Sequence, residues 1–162
     1  MQPIRASASR DYSPAPIGDE MSRYLGDDFL LPVIDQHNKE WFTSGEIRVQ
    51  FCKACDAAQF PPEDVCIQCR SYDQEFRTVS GEGTVESAVE VNFPVHPLLA
   101  DKVPYNVAVI SLDGAPGCNA IGNVVNKGPA EVEIGQRVRA IFEEATDPTT
   151  GDKLLIPNWE AI

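Results

Sequence analysis

The chain has 162 residues, 43% of them hydrophobic, which suits one medium domain or two small ones with a buried core. Its formal net charge of −12, from 25 acidic and 13 basic residues, opposes nucleic-acid binding, which needs Lys and Arg to neutralise phosphates. No apolar run reaches the roughly 18 residues of a membrane span, and the N-terminus lacks a signal-peptide stretch, so we expect a cytoplasmic protein without membrane contact.

The first elements in chain order are a flexible arm and a helix. Residues 1–28 are rich in Ser, Pro, Ala and Arg and show no apolar periodicity, which is typical of a flexible arm. Residues 29–45 are predicted to form a helix from about Pro32, because a partly apolar stripe recurs there at helical spacing. Trp41 and Phe42 lie on this stripe, where they either anchor a partner chain or pack on the segment that follows.

Residues 46–79 contain four cysteines in the pattern C-x2-C-x10-C-x2-C. A two-residue gap lets one tight turn aim two sulfurs at one metal, and two such turns offer a tetrahedral zinc four thiolates. No position then remains for water or substrate, so the zinc should be structural; four unrelated thiols or two disulfides are the alternatives. With short strands at 47–51 and 75–79, the segment is predicted to be a rubredoxin-like zinc ribbon. The predicted ligands are Cys52, Cys55, Cys66 and Cys69.

The signal from residue 80 to residue 162 is entirely β. Alternating segments separated by glycine-rich turns, with no long helix between them, indicate a small Greek-key barrel of the OB type, and a sandwich fragment is the alternative. The predicted strands are 83–91, 105–112, 118–125, 134–142 and 153–159. The expected fold class is therefore mainly β with an N-terminal helix, a zinc ribbon and then an OB-type barrel.

Taken together, several segments resemble one known family. Beside the cysteine pairs, they are WF at 41–42, GEIRVQ at 45–50, FPP at 60–62, SGEGTVES at 80–87, PYNVAVI at 104–110 and IGQRV at 134–138. Residues 29–162 thus resemble the zinc-ribbon/OB-fold acyl-CoA-associated proteins, first catalogued as domain of unknown function thirty-five. Arg70 departs from the family, which often has glycine after the fourth cysteine, and this affects only the geometry of that turn.

The resemblance implies a non-catalytic subunit with structural zinc, which shares acyl-CoA as a ligand with the partner that carries the chemistry. The implied partner is a thiolase-superfamily protein, namely a thiolase, an acyltransferase or a lipid-transfer-like aldolase. An enoyl-CoA hydratase-like subunit accompanies some members. The other interpretation is a zinc-ribbon scaffold that has no ligand of its own.

The loop at residues 92–104, which we call the barrel loop, is the candidate CoA contact, since OB folds use such loops for ligands. Phe93 and Tyr105 are candidates for stacking on an adenine, while Lys102 or His96 would meet a phosphate. The alternative is an ordinary proline-stiffened connection. Two further candidate cations share one face of an alternating strand, a pattern that equally fits a solvated outer face: Arg137 and Arg139.

No catalytic constellation emerges from the sequence. Cys118 is the one cysteine outside the two pairs, and its place in an apolar strand favours a buried small side chain over a nucleophile. Neither His37 nor His96 has a neighbouring group that marks it as a base. Phosphate-loop, His-Glu-x-x-His and nucleophile-elbow motifs do not occur.

Overall fold

The computed structural model describes residues 23–162, so the first 22 residues of the expected arm lie outside it. Two short 3-10 turns, at Pro97–Leu99 and Pro129–Glu131, accompany one α-helix and eight strands. The elements are α1 (Lys39–Thr43), β1 (Arg48–Cys52), β2 (Ala58–Gln59), β3 (Gln74–Thr78), β4 (Glu82–Val91), β5 (Tyr105–Leu112), β6 (Asn119–Gly122), β7 (Arg137–Thr146) and β8 (Lys153–Ala161). Within residues 23–162, no helix has the length and apolar character needed to cross a bilayer.

The helix is shorter than the sequence predicts. It spans five residues, Lys39–Thr43, instead of most of 29–45. Local side-chain bonds replace helical ones just before it, because the Asp35 carboxylate accepts the backbone N–H groups of His37 (2.8 Å) and Asn38 (2.9 Å). Such bonds favour turns over helix, so the chain enters the helix only after Asn38.

The last part of the predicted arm, residues 23–28, is held against the barrel. The backbone N–H of Tyr24 donates to the Glu143 carboxylate at 2.8 Å, and the Arg23 guanidinium donates to the carbonyl oxygen of Phe29 at 2.7 Å. Arg23 is only 7% exposed. We call residues 23–31 the strap. Its first six residues belong to the predicted arm, and their contact with the barrel was not predicted because a long-range contact leaves no periodic pattern in the sequence.

The ribbon is a three-stranded antiparallel sheet in the order β2-β1-β3. Strands β1 and β3 pair over five residues, from Arg48 opposite Thr78 to Cys52 opposite Gln74. Both were predicted to within one residue, whereas the two-residue β2 was not predicted. The first cysteine of the metal motif is therefore the last residue of the central strand.

The second sheet has five strands in the antiparallel order β6-β5-β4-β7-β8. Its two edges meet through a parallel bridge between Val124 and Trp159. Hydrogen bonds from Val125 N to Trp159 O (2.8 Å) and from Trp159 N to Asn123 O (2.9 Å) complete the junction. A sheet whose edges join is a barrel and not a sandwich fragment, which confirms the predicted OB type.

Strand β6 ends at Gly122, earlier than predicted, because a buried side chain takes over its backbone bonds. The Asn106 amide donates to Val124 O at 2.9 Å and accepts from Val124 N at 2.7 Å, and Asn106 is fully buried. At Gly122 itself a Cβ atom would lie 2.8 Å from the Trp159 indole, so this close approach requires glycine.

Ribbon and barrel share one hydrophobic core. Trp41 from the helix and Ile47, Val49 and Phe51 from the ribbon belong to the same buried cluster as barrel residues such as Trp159. The two parts that the sequence separates at residue 79 are therefore joined by apolar packing.

Candidate functional site

The four paired cysteines converge at one point between the two turns of the ribbon. Their Sγ atoms all lie within 4.8 Å of one another, with 3.5 Å from Cys52 to Cys69 and 3.7 Å from Cys55 to Cys66. A tetrahedral zinc with Zn–S bonds of about 2.3 Å needs sulfurs about 3.8 Å apart. Disulfides need about 2.05 Å, so the geometry fits a zinc held by four cysteines and rules out the disulfide alternative.

The two cysteine turns have the same backbone design. Asp56 N donates to Cys52 O at 2.8 Å, and Arg70 N donates to Cys66 O at 2.9 Å. The residue after each second cysteine is left-handed, since Asp56 and Arg70 both have φ of +62°. This is the conformation that glycine adopts freely, so the family's usual glycine after the fourth cysteine has a direct geometric reason.

Backbone N–H groups in the second turn prepare it for a metal. The N–H of Cys69, helped by that of Gln68, lowers the pKa of the Cys66 thiol to about 7 against the opposing effect of burial. Hydrogen bonding to the thiolate favours the ionised form that zinc requires. Four thiolates would fill the coordination sphere, so a zinc here is structural and has no open position for chemistry.

The residues before and in the helix close over the ribbon. The His37 imidazole lies 3.0 Å from the Asp64 carboxylate, which raises the pKa of His37. Trp41 stacks at a tilt on Phe60, with ring centroids 4.3 Å apart, and is 7% exposed. Of the two alternatives for Trp41, packing on the ribbon is therefore confirmed.

Three of the predicted CoA residues lie on the barrel loop, namely Phe93, His96 and Lys102. Phe93 is 79% exposed and Lys102 is also exposed. His96 is partly buried, since its Nδ1 accepts the N–H of Leu98 at 3.2 Å and its ring meets the edge of Phe29 at 6.0 Å. The loop is thus stabilised by the strap on one side and presents an aromatic ring and an amine to solvent.

The other three predicted CoA residues lie elsewhere or face inward. Tyr105 is 6% exposed, so its ring is not free to stack on an adenine in this structure. Arg137 forms ion pairs with Asp113 (2.6 Å) and Glu82 (3.0 Å), and Arg139 lies 2.5 Å from a Glu160 oxygen.

Both arginines flank the start of β4, where Arg139 is opposite Glu82 and Arg137 is opposite Thr84. The barrel loop follows the far end of the same strand at Val91. Seven residues of strand separate Thr84 from Val91, or about 23 Å at 3.3 Å per residue. The structure therefore does not gather the six residues into one cluster.

One buried acid was missed by the sequence analysis. Glu143 is 7% exposed although it lies on the outer side of β7, because the strap covers it. Burial raises the pKa of its carboxyl, while the N–H of Tyr24 and the side chain of Asn158 oppose this shift. A cavity of about 360 Å³ lies between the strap and the following residues of β7, lined by Arg23, Asp27, Leu31, Glu144, Ala145, Thr146 and Lys153. No local pattern marks Glu143, since alternation places it among exposed residues.

Cys118 is buried as predicted. It is 1% exposed within the shared core, and burial raises the pKa of its thiol. A thiol that is both enclosed and hard to ionise is a poor nucleophile, so the packing role fits the structure.

Comparison with known proteins gives one consistent picture. Family models match residues 43–73 as the "ChsH2, rubredoxin-like zinc ribbon domain" and residues 76–143 as the "ChsH2, C-terminal OB-fold domain". Two archaeal relatives are each called a DUF35 domain-containing scaffold protein. The one from Methanocaldococcus jannaschii is 32% identical over 122 residues, covering 74% of this chain and 82% of the relative. The one from Methanothermobacter thermautotrophicus is 29% identical over 97 residues, covering 59% of this chain and 71% of the relative.

Among solved structures, a chain of an "Ltp2-ChsH2(DUF35) aldolase" superposes with a TM-score of 0.67 at 30% identity. The match covers 81% of this chain and 98% of that chain. Ribbon and barrel thus occur in the same combination in a chain of a complex that is described as an aldolase.

Proposed function

This chain belongs to the DUF35 family, in which a rubredoxin-like zinc ribbon precedes an OB-fold domain, and from that premise we propose that it is an assembly subunit of a thiolase-superfamily complex. A lipid-transfer-like aldolase is the favoured partner. In this proposal the chain holds structural zinc, contributes to acyl-CoA binding and leaves the chemistry to the partner.

The observation that carries the proposal is the match to the solved aldolase. It extends over 98% of the matched chain, so ribbon and barrel are both shared and in the same relative arrangement. Sequence identity of 30% accompanies the structural match. The lipid-transfer-like partner is thus favoured over a thiolase, an acyltransferase or an enoyl-CoA hydratase-like subunit.

The chemistry of the site supports a non-catalytic role. A zinc held by four thiolates cannot polarise a thioester oxygen, because it has no free coordination position. Cys118, the remaining cysteine, is enclosed in the core.

The barrel loop is the part of the chain that fits an acyl-CoA. CoA offers an adenine that stacks on aromatic rings and phosphates that attract cations. Phe93 and Lys102 are exposed on this loop, with His96 between them. Arg137 and Arg139 are already paired with carboxylates. They lie at the other end of β4, about 23 Å from the barrel loop by the strand rise. We therefore place the CoA contact on the loop and expect the partner to supply most of the phosphate contacts.

The test is co-expression with the lipid-transfer-like protein of the same organism, followed by kinetics of the purified complex. Phe93→Ala and Lys102→Ala should each raise the apparent KM for acyl-CoA several-fold without changing zinc content or partner binding. Lys39→Ala, which removes an exposed lysine on the ribbon side, is the matched control and should leave KM unchanged.

A scaffold without a ligand of its own is the second candidate, and the name given to both archaeal relatives favours it. Identical kinetics in wild type and both loop variants, together with stable complex formation, would decide for the scaffold. Acyl-CoA turnover by the isolated chain would contradict both candidates.

A further inference from the structure

The outer side of strands β4, β5 and β6 carries a continuous set of apolar side chains. In β5 every second residue from Asn106 is buried in the barrel, so Val107 and Val109 point outward. Directly paired residues of neighbouring strands share a face. Val109 pairs with Ile121, which is 72% exposed, and Val107 pairs with Val89, which is 58% exposed. We call these four residues the apolar face.

The barrel loop, which follows the end of β4, carries two further exposed apolar side chains. Two residues after Val91 comes Phe93, and two further on comes Val95, which are 79% and 75% exposed. Isolated apolar side chains are normal on a protein surface, but neighbouring ones on a sheet mark an interaction site. The β-branched pair of half-buried Val109 and exposed Ile121 is well suited to packing against another protein and contributes nothing to solubility.

The charged residues of strands β4, β5 and β6 are all acidic, namely Glu82, Glu86 and Glu90. Glu90 pairs with the buried Asn106 and therefore lies on the other side of the sheet from the apolar face. Glu82 is paired with Arg137. Glu86 accepts a hydrogen bond from the neutral amide of Asn119 at 2.9 Å and forms no ion pair within residues 23–162. The apolar face is therefore bordered by an acid, Glu86, whose charge is not neutralised by a neighbouring cation.

This charge pattern selects the occupant. A second copy would bring equal −12 net charges together and, in a two-fold arrangement, the same acidic rims. Like-charge contacts across an interface are costly, whereas an opposite charge on the partner steers association. The occupant should thus carry an apolar patch bordered by Lys or Arg.

We propose that the apolar face docks the catalytic partner through an apolar patch with a basic rim. The inference rests on the proposed function, because it names the surface by which the assembly subunit holds its enzyme. The apolar centre supplies the contact from which water is excluded. The acid at the rim influences the orientation of the two proteins and the rate at which they associate.

The test is binding of the full-length chain to the purified lipid-transfer-like protein of the same organism, measured by calorimetry. Ile121→Glu and Val89→Glu should each weaken binding by about tenfold or more, as expected for central contacts of an interface. Ile67→Glu is the matched control, because Ile67 is 73% exposed but lies in the second cysteine turn. Its affinity should equal that of wild type.

The rim has its own test. Glu86→Gln removes the charge and keeps an oxygen for the Asn119 contact, so it should slow association at low salt and reduce the salt dependence of the rate. Glu90→Gln is the matched control, because it removes the same charge from the other side of β4, and it should change the rate much less.

The outcomes separate the two proposals. If wild type does not bind the partner, the proposed function fails. If wild type binds and Ile121→Glu binds equally well, or if Ile67→Glu is weakened to the same extent, the assignment of the apolar face is overturned. Self-association of the isolated chain that Ile121→Glu abolishes would instead identify a second copy as the occupant and would also overturn the assignment.

Discussion

Arg70 shows how one residue can sit in a conformation that its side chain disfavours. Its φ of +62° lies in the left-handed region, where residues other than glycine, asparagine and aspartate are strained. The turn needs this conformation because the N–H of Arg70 must reach Cys66 O. The strain is tolerated where two metal–sulfur bonds, from Cys66 and Cys69, would hold the turn.

We therefore predict that Arg70→Gly stabilises the zinc-bound protein by about 1 kcal/mol, because glycine adopts the left-handed conformation without a steric cost. Chemical denaturation at saturating zinc measures the change. The matched control is Asp56→Gly in the first turn, which should give no gain, because aspartate tolerates the left-handed conformation and the 2.6 Å ion pair between Asp56 and Arg77 is lost. A less stable Arg70→Gly protein would contradict the argument.

At the scale of single elements, the strap is attached to the barrel by a group that titrates. The Glu143 carboxylate accepts the Tyr24 N–H and is buried beneath the strap, and burial raises its pKa. A carboxyl with a raised pKa binds a proton more readily in the folded state. Its contribution to stability is thus fully present below its ordinary pKa and is lost as pH rises through the raised value.

The corresponding prediction concerns Glu143→Gln, which keeps an oxygen acceptor and removes the charge. The free energy of unfolding of wild type, relative to this variant, should fall as pH rises from about 4.5 through the raised pKa and then stay constant. Urea denaturation of both proteins at several pH values measures it. Glu144→Gln is the control at an exposed neighbouring site, and a pH-independent difference between wild type and Glu143→Gln would refute the linkage.

The elements also show what a sequence can and cannot predict. Cysteine spacing and two-residue alternation are local, and so the metal ligands, β1, β3 and all five barrel strands were predicted. The helix was overestimated because Asp35 diverts backbone N–H groups into a turn. The strap, the burial of Glu143 and the dispersal of the six candidate CoA residues depend on contacts between distant parts of the chain. No local pattern encodes such contacts.

At the scale of the whole molecule, the zinc site and the barrel are energetically linked. Trp41, Phe51 and Trp159 belong to one buried cluster, so order in the ribbon supports packing in the barrel. Structural zinc in small domains contributes on the order of 10 kcal/mol of binding energy that appears as folding energy. Loss of the metal should therefore lower the stability of the barrel as well as that of the ribbon.

The chain has two tryptophans, so Trp41→Phe leaves Trp159 as the only indole, inside the barrel. We predict that a chelator lowers the thermal midpoint reported by Trp159 fluorescence in this variant. Adding Cys52→Ser should remove zinc, as elemental analysis would show, and abolish the response to chelator. Adding Cys118→Ala instead should preserve both the zinc content and the response to chelator. If chelator does not change the thermal midpoint reported by Trp159 fluorescence, the stability of the barrel is independent of the metal.

The junction between Val124 and Trp159 has a consequence for biosynthesis. Strand β8 is the last element in the described chain, and it both pairs along β7 and meets the β6 side of the barrel. A ribosome completes the ribbon well before it delivers Trp159. Domains fold as their residues emerge, N-terminal part first, so metal loading of the nascent ribbon precedes closure of the barrel. In the interval, Trp41 and Phe51 lack the apolar surface that later covers them, which makes this the stage at which the growing chain most needs zinc and protection from aggregation.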